Sequence, residues 1–108
     1  MDAATQARFE ARARVIKAMA HPTRLFVVDE LSRGERNVGD LQELVGADLS
    51  TVSRHLSVLF EAGVIGREKR GNQAFYYLRV PCVMNFFGCV EAVLEMSARE
   101  TIQLVEKP

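Results

Sequence analysis

Between Val45 and Leu49 a helical hydrophobic rhythm stops and restarts across only three residues, Gly46-Ala47-Asp48. Upstream, Val38, Leu41, Leu44 and Val45 lie at helical spacing; downstream, Leu49, Val52, Leu56, Leu59 and Phe60 do the same. The stretch therefore reads as helix, tight turn, helix, with Asn37 placed to cap the first helix and Gly63 to stop the second. The flanking pattern is equally legible. Thr5 to Ala20 carries Phe9, Ala13, Ile16 and Ala20 on one face, and Ala20-His21-Pro22-Thr23 interrupts it, because Pro disfavours helix at the residue before it and suits the first turn of a new one. A second helix is expected from about Pro22 to Ser32, then a polar loop, Arg33 to Asn37. After Gly63 the period changes: Val64 to Arg70 and Ala74 to Val80 flank a Gly71-Asn72-Gln73 corner and read as a hairpin. Pro81 is expected to restart a helix through Val83, Phe86, Phe87, Val90, Val93, Leu94 and Met96 to about Val105. The order is α-α-α-α-β-β-α, mainly α with one small hairpin.

At 108 residues the chain suits one domain spanning 1–108. Its 48% hydrophobic and 26% charged residues are the balance of a chain that folds rather than one that stays disordered. No Gly-rich phosphate loop, metal-ligand cluster or Ser/His/Asp set points to an enzyme. Lys+Arg and Asp+Glu each number 14, so nucleic-acid binding needs a local argument. The neutrality hides alternation: residues 1–24 and 48–80 are net positive, and 25–47 and 81–108 net negative. No apolar run approaches the roughly 20 residues of a membrane span, and Met1 to Gln6 lacks the basic and apolar stretches of a secretory signal, so no membrane association and a cytoplasmic location are expected.

The helix after the tight turn carries Ser50, Thr51, Ser53, Arg54, His55 and Ser57 between its apolar positions. Short hydroxyls and a guanidinium can approach phosphates and base edges of double-stranded DNA, and the second helix of such a unit can enter a major groove. Directly after it, Arg67, Lys69 and Arg70 cluster before the hairpin tip at Asn72 and Gln73, where positive charge on a projecting loop can neutralise backbone phosphates. A helix-turn-helix followed by a basic hairpin is a winged helix-turn-helix.

Several segments strengthen that reading. Met19 to Leu25, Leu49 to Leu56, Leu59 to Ile65, and Arg70 to Gln73 with Tyr76-Tyr77 together resemble the ArsR/SmtB family of small winged-helix repressors across nearly the whole chain. The resemblance implies a homodimer joined by its first and last helices, an operator of two-fold symmetry, and release from DNA when an effector binds. The Cys-x-Cys pair that many arsenic and cadmium sensors place in the third helix is replaced here by Asn37-Val38-Gly39-Asp40-Leu41. The last helix has Glu91, Glu95 and Glu100 but no His, unlike the zinc and nickel or cobalt sensors. His21 and His55 are expected to be structural or DNA-facing.

Cys82 and Cys89 remain as the sensing candidates. Thiolates bind a thiophilic ion such as arsenite, or react with peroxide and reactive sulfur. No cofactor is obligatory on this reading. Seven residues apart on one continuous helix, the two would sit about 10.5 Å apart, beyond the roughly 7 Å a disulfide allows. Either the helix breaks near Asn85 to Gly88, or each thiol finds its partner in another segment or subunit. Phe9, Ile16, Phe86, Val90, Val93 and Leu94 give the terminal helices more apolar surface than one small domain needs, and a partner subunit is expected to cover it. Three readings stand open: an arsenite-type sensor, a thiol redox or reactive-sulfur sensor, and a regulator in which the cysteines only pack.

Overall fold

The computed structural model describes residues 1–106. Helix α1 (Ala3–Met19) starts where the Asp2 carboxylate accepts the Thr5 N–H at 2.8 Å, a bond that also holds this carboxyl below its ordinary range. It ends ahead of Pro22, which opens α2 (Pro22–Leu31) at a position where a missing N–H costs nothing. The cap of α2 is His21, whose Nδ1 accepts the Thr23 N–H at 3.1 Å. As expected, Asn37 caps α3 (Val38–Val45), its Oδ1 accepting the Asp40 N–H at 2.8 Å. Gly46 then takes φ 75°, a left-handed conformation that turns the chain without a Cβ penalty. Helix α4 (Leu49–Glu61) follows at once, completing the helix-turn-helix.

Three short strands form one antiparallel sheet: β1 (Arg36–Asn37), β2 (Ile65–Arg70) and β3 (Gln73–Leu78), in the order β1-β3-β2. The hairpin β2–β3 turns on Gly71-Asn72 alone, and the positive φ at Gly71 but not Asn72 matches a type II′ turn. Gln73, expected in the corner, pairs with Arg70 instead. Strand β1 lies in the segment expected to be loop: Arg36 pairs with Tyr76 and Asn37 with Phe75. Two residues carry no period to read, and their strand identity comes entirely from a partner distant in sequence.

Helix α5 (Val83–Glu106) begins later than Pro81 suggested. Val80 to Cys82 form a turn in which the Val83, Met84 and Asn85 N–H groups bond to the carbonyls of Val80, Pro81 and Cys82 at 3.0–3.1 Å. Cys82 therefore precedes the helix, while Cys89 lies on it. The helix runs unbroken through Asn85 to Gly88, so the broken-helix alternative does not occur.

One core holds these elements. Val27, Val28 and Leu31 of α2, Leu41 of α3, and Val52, Leu56 and Leu59 of α4 meet Val64, Ile65 and Tyr76 from the sheet end, with Met19 of α1 against them. From α5 only Val83, Met84 and Phe87 pack on this cluster, and every residue from Gly88 to Glu106 is exposed. The helix-turn-helix is thus welded to α2 and the sheet, whereas α5 projects from the body.

Candidate nucleic-acid interface

Burying Val52, Leu56 and Leu59 fixes the roll of α4 and turns Ser50, Arg54 and Ser57, spaced four and three residues apart, into solvent as one stripe. Thr51 and Ser53 flank the stripe half-buried. Ahead of the helix, the Asp48 carboxylate accepts the Ser50 hydroxyl at 2.7 Å. The hydroxyls of Thr51 and then Ser50 hold the Asp48 carboxyl below its ordinary range. The Ser50 proton is thus occupied within the chain, leaving its oxygen lone pairs and the Arg54 guanidinium as the outward polar groups near the start of α4.

His55 is turned away from that stripe. Its Nδ1 faces Nη1 of Arg24 on α2 at 3.3 Å, and its ring lies 4.4 Å from the His21 ring at 39°. Burial first, then the His21, Arg24 and Arg54 charges, push its imidazole below the ordinary histidine value. The sequence grouped His55 with the DNA-facing residues; the fold ties it to α2.

The hairpin separates the three basic residues that are neighbours in sequence. Directly paired residues share a face of an antiparallel sheet, so Arg67 and Lys69 project with Tyr76 and Ala74, while Glu68 and Arg70 project with Phe75 and Gln73. On the first face the Arg67 guanidinium lies 4.5 Å over the ring of Phe60 from α4, which fastens the wing base to that helix. Lys69 stands beyond it, exposed. On the second face Arg70 stacks 4.8 Å over the Phe75 ring and spans β3 to meet both carboxylate oxygens of Glu35, with Glu68 at 3.0 Å. These bonds raise the Arg70 value and lower that of Glu35. Arg70 is therefore neutralised within the chain, and Asn72 and Gln73 are exposed at the tip. Glu35 was not singled out from the sequence, although strand alternation alone places Arg70 on the opposite face from Arg67.

Away from the helix-turn-helix, α1, α2 and α5 leave an open apolar groove of about 650 Å³, lined by Ile16, Leu25, Phe26, Phe86, Phe87 and Val90 among others. Phe9, Ile16, Phe86, Val90, Val93 and Leu94 are all between 42% and 58% exposed, a continuous apolar load on the two terminal helices. Both cysteines are free thiols and exposed. Among the described residues no group of three or more His, Cys, Asp or Glu is placed to hold a metal ion, and no helix is long and apolar enough to cross a membrane.

The family description "bacterial regulatory protein, arsR family" matches residues 21–66, from the α2 cap to the start of β2. The nodulation protein NolR of Rhizobium meliloti is 30% identical over 99 residues, covering 92% of this chain and 79% of that protein. The chain belongs to the arsR family of bacterial regulatory proteins. It is accordingly a winged helix-turn-helix transcriptional regulator and not an enzyme. The biofilm growth-associated repressor of Xylella fastidiosa is 38% identical over 66 residues, 61% of this chain and 58% of that protein. Among solved structures, the homodimeric winged helix-turn-helix DNA-binding domain from Mycobacterium bovis superposes with a TM-score of 0.77 at 28% identity, covering 93% of each chain.

Proposed function

We propose that this arsR-family regulator is a repressor that binds double-stranded DNA as a homodimer, with α4 of each subunit in the major groove of one half of a two-fold symmetric operator. The observation that carries this reading is the outward stripe of Ser50, Arg54 and Ser57 beside the α4-facing side of the wing, where Arg67 and Lys69 project. On this reading Arg54 reaches a base edge, Ser50, Thr51, Ser53 and Ser57 position the helix, and Lys69, Arg67, Asn72 and Gln73 meet the backbone. Arg70, already held by Glu35 and Glu68, braces the wing.

The homodimer would bury the apolar faces of α1 and α5. Their charges support the pairing: α1 carries Arg8, Arg12, Arg14 and Lys17 against a single Glu10, and α5 carries Glu91, Glu95, Glu100 and Glu106 against a single Arg99. A basic helix of one copy beside an acidic helix of another is favourable in charge as well as in apolar area. Repression is the activity named for the Xylella relative and is carried to this chain as part of the proposal.

The effector chemistry is assigned to Cys82 and Cys89, which sit at the root of α5 where a bond or bridging ion would tilt one subunit against the other. A thiophilic ion such as arsenite would take thiolates from both cysteines and a third across the dimer. A second reading is favoured by both cysteines being free and exposed thiols, which two-thiol chemistry can use without a third ligand. In it, two thiols are oxidised to an intersubunit disulfide while a peroxide takes their two protons and two electrons and leaves as two waters. The test is a gel shift with a duplex enriched from a random-sequence pool, repeated over a salt series and then with arsenite, peroxide or persulfide. Affinity that falls steeply with salt and is lost on adding one of these reagents supports the reading; no enriched duplex refutes DNA binding, and indifference to all three reagents refutes the cysteine sensor.

A further inference from the structure

Where α2 begins and α4 passes it, three groups that are or can become cationic meet, His21, Arg24 and His55, and the charge of the outward Arg54 acts on the same ring. A guanidinium only donates, so the Arg24 Nη1 contact at 3.3 Å requires a lone pair on His55 Nδ1 and places the ring proton on Nε2. Arg24 has little else to hold it, since its Nε is buried without a partner. Of the elements packed on α4, α2 brings Arg24 and its cap His21 against the ring, and α4 itself brings Arg54. Among the described residues no carboxylate acts on the ring to welcome a second proton. That proton would remove the acceptor that Arg24 uses and set a charge against the guanidinium.

We propose that His55 is a positioning residue for DNA binding: its neutral imidazole braces α4 beside Arg54 against α2 through Arg24, and protonation breaks that brace while the buried row of Val52, Leu56 and Leu59 keeps α4 in the fold. This rests on α4 being the DNA-reading helix, as proposed above. The sign follows from the neutral form being the docked one. Because burial and the neighbouring cations disfavour the charged ring, the docked arrangement is complete at neutral pH and is lost as pH falls below about 6.5, the ordinary histidine value. Simple electrostatics predicts the opposite trend, since added positive charge strengthens attraction to phosphate. A fall in affinity with acid is therefore diagnostic.

The experiment measures fluorescence anisotropy of a duplex enriched from a random-sequence pool at neutral pH. It is repeated from about pH 8 to about pH 5 at constant ionic strength, with circular dichroism confirming the fold at each point. The wild-type dimer, with one His55 in each subunit, should lose affinity by up to about a hundredfold per pH unit on the acid side, the limit for two linked protons. His55→Asn keeps an amide acceptor near the Nδ1 position but cannot titrate, and its acid limb should vanish. Arg24→Gln keeps an N–H that can donate to Nδ1 but removes the cation facing the ring, and the midpoint should move up in pH, a shift that a merely structural contact would not produce. The inference is overturned if the wild-type affinity does not fall in acid, if His55→Asn falls equally, or if the Arg24→Gln midpoint stays put. Failure to enrich any duplex at neutral pH would overturn the DNA-binding reading itself, and this inference with it.

Discussion

Replacing Lys69 and Arg70 separately by Ala removes one positive charge each from adjacent positions of β2, yet the two variants should behave differently on DNA. Lys69 is exposed on the α4-facing side of the wing, and no internal carboxylate pairs with it among the described residues. Arg70 projects from the other face and is held by Glu35 and Glu68. Each phosphate contact contributes about 0.9 to the slope of log affinity against log salt, so over a fourfold rise, from about 50 to about 200 mM, one contact amounts to a further loss of about 3.5-fold. Lys69→Ala removes one such contact from each subunit of the dimer, so it should weaken all DNA sequences alike and flatten the salt slope by about 1.8. Arg70→Ala should leave the slope within error of wild type and act instead on the wing, seen as faster amide exchange at Gly71 to Gln73. The assay is a salt titration of operator and random duplexes with each variant. Equal flattening by the two substitutions would refute the separation of the wing into a DNA face and a braced face.

Two further outcomes follow from local geometry. Gly46→Ala places a Cβ in open space but on a residue with φ 75°, so its cost is pure backbone strain of about 1–2 kcal/mol, read as a lower midpoint in denaturant; an unchanged midpoint would mean the turn relaxes to another conformation. Because Cys82 and Cys89 flank a continuous helix start seven residues apart, mild oxidation should yield a covalent dimer on a non-reducing gel rather than an intrachain bridge. Cys82→Ser and Cys89→Ser should each keep DNA binding and lose release by arsenite or sulfur oxidants; a double variant that still responds to the true inducer would make both cysteines packing residues.

What the sequence made legible was local. The Asn37 cap, the Gly46 turn, the Gly63 stop and the apolar row of α4 are each set by contacts three or four residues away, within reach of a periodic reading. His21 as the cap of α2 escaped because an imidazole is an uncommon cap, although its position before Pro22 marked the boundary. Strand β1 escaped for a different reason: its pairing with β3 is some 40 residues distant along the chain, and two residues show no alternation. The same distance hid two side-chain contacts at the candidate interface. Glu35 and Arg70 are 35 residues apart and Arg24 and His55 are 31 apart, so a basic residue and a histidine grouped with the DNA-facing residues from their neighbours also have remote partners within the chain. Only the split of Arg70 from Arg67 and Lys69 was available in advance, from the two-residue period of a strand.

The most direct measurement of the central claim is the sequence preference of the wild-type chain and of Arg54→Ala, each selected against the same random pool of duplexes. A dimer that sets two α4 helices in successive major grooves predicts two inverted half-sites centred about 10 base pairs apart. Arg54→Ala should then lose preference at one symmetry-related pair of positions, with a cost of about 1–3 kcal/mol at each half-site. A single asymmetric site, or a preference unchanged by Arg54→Ala, would contradict the account.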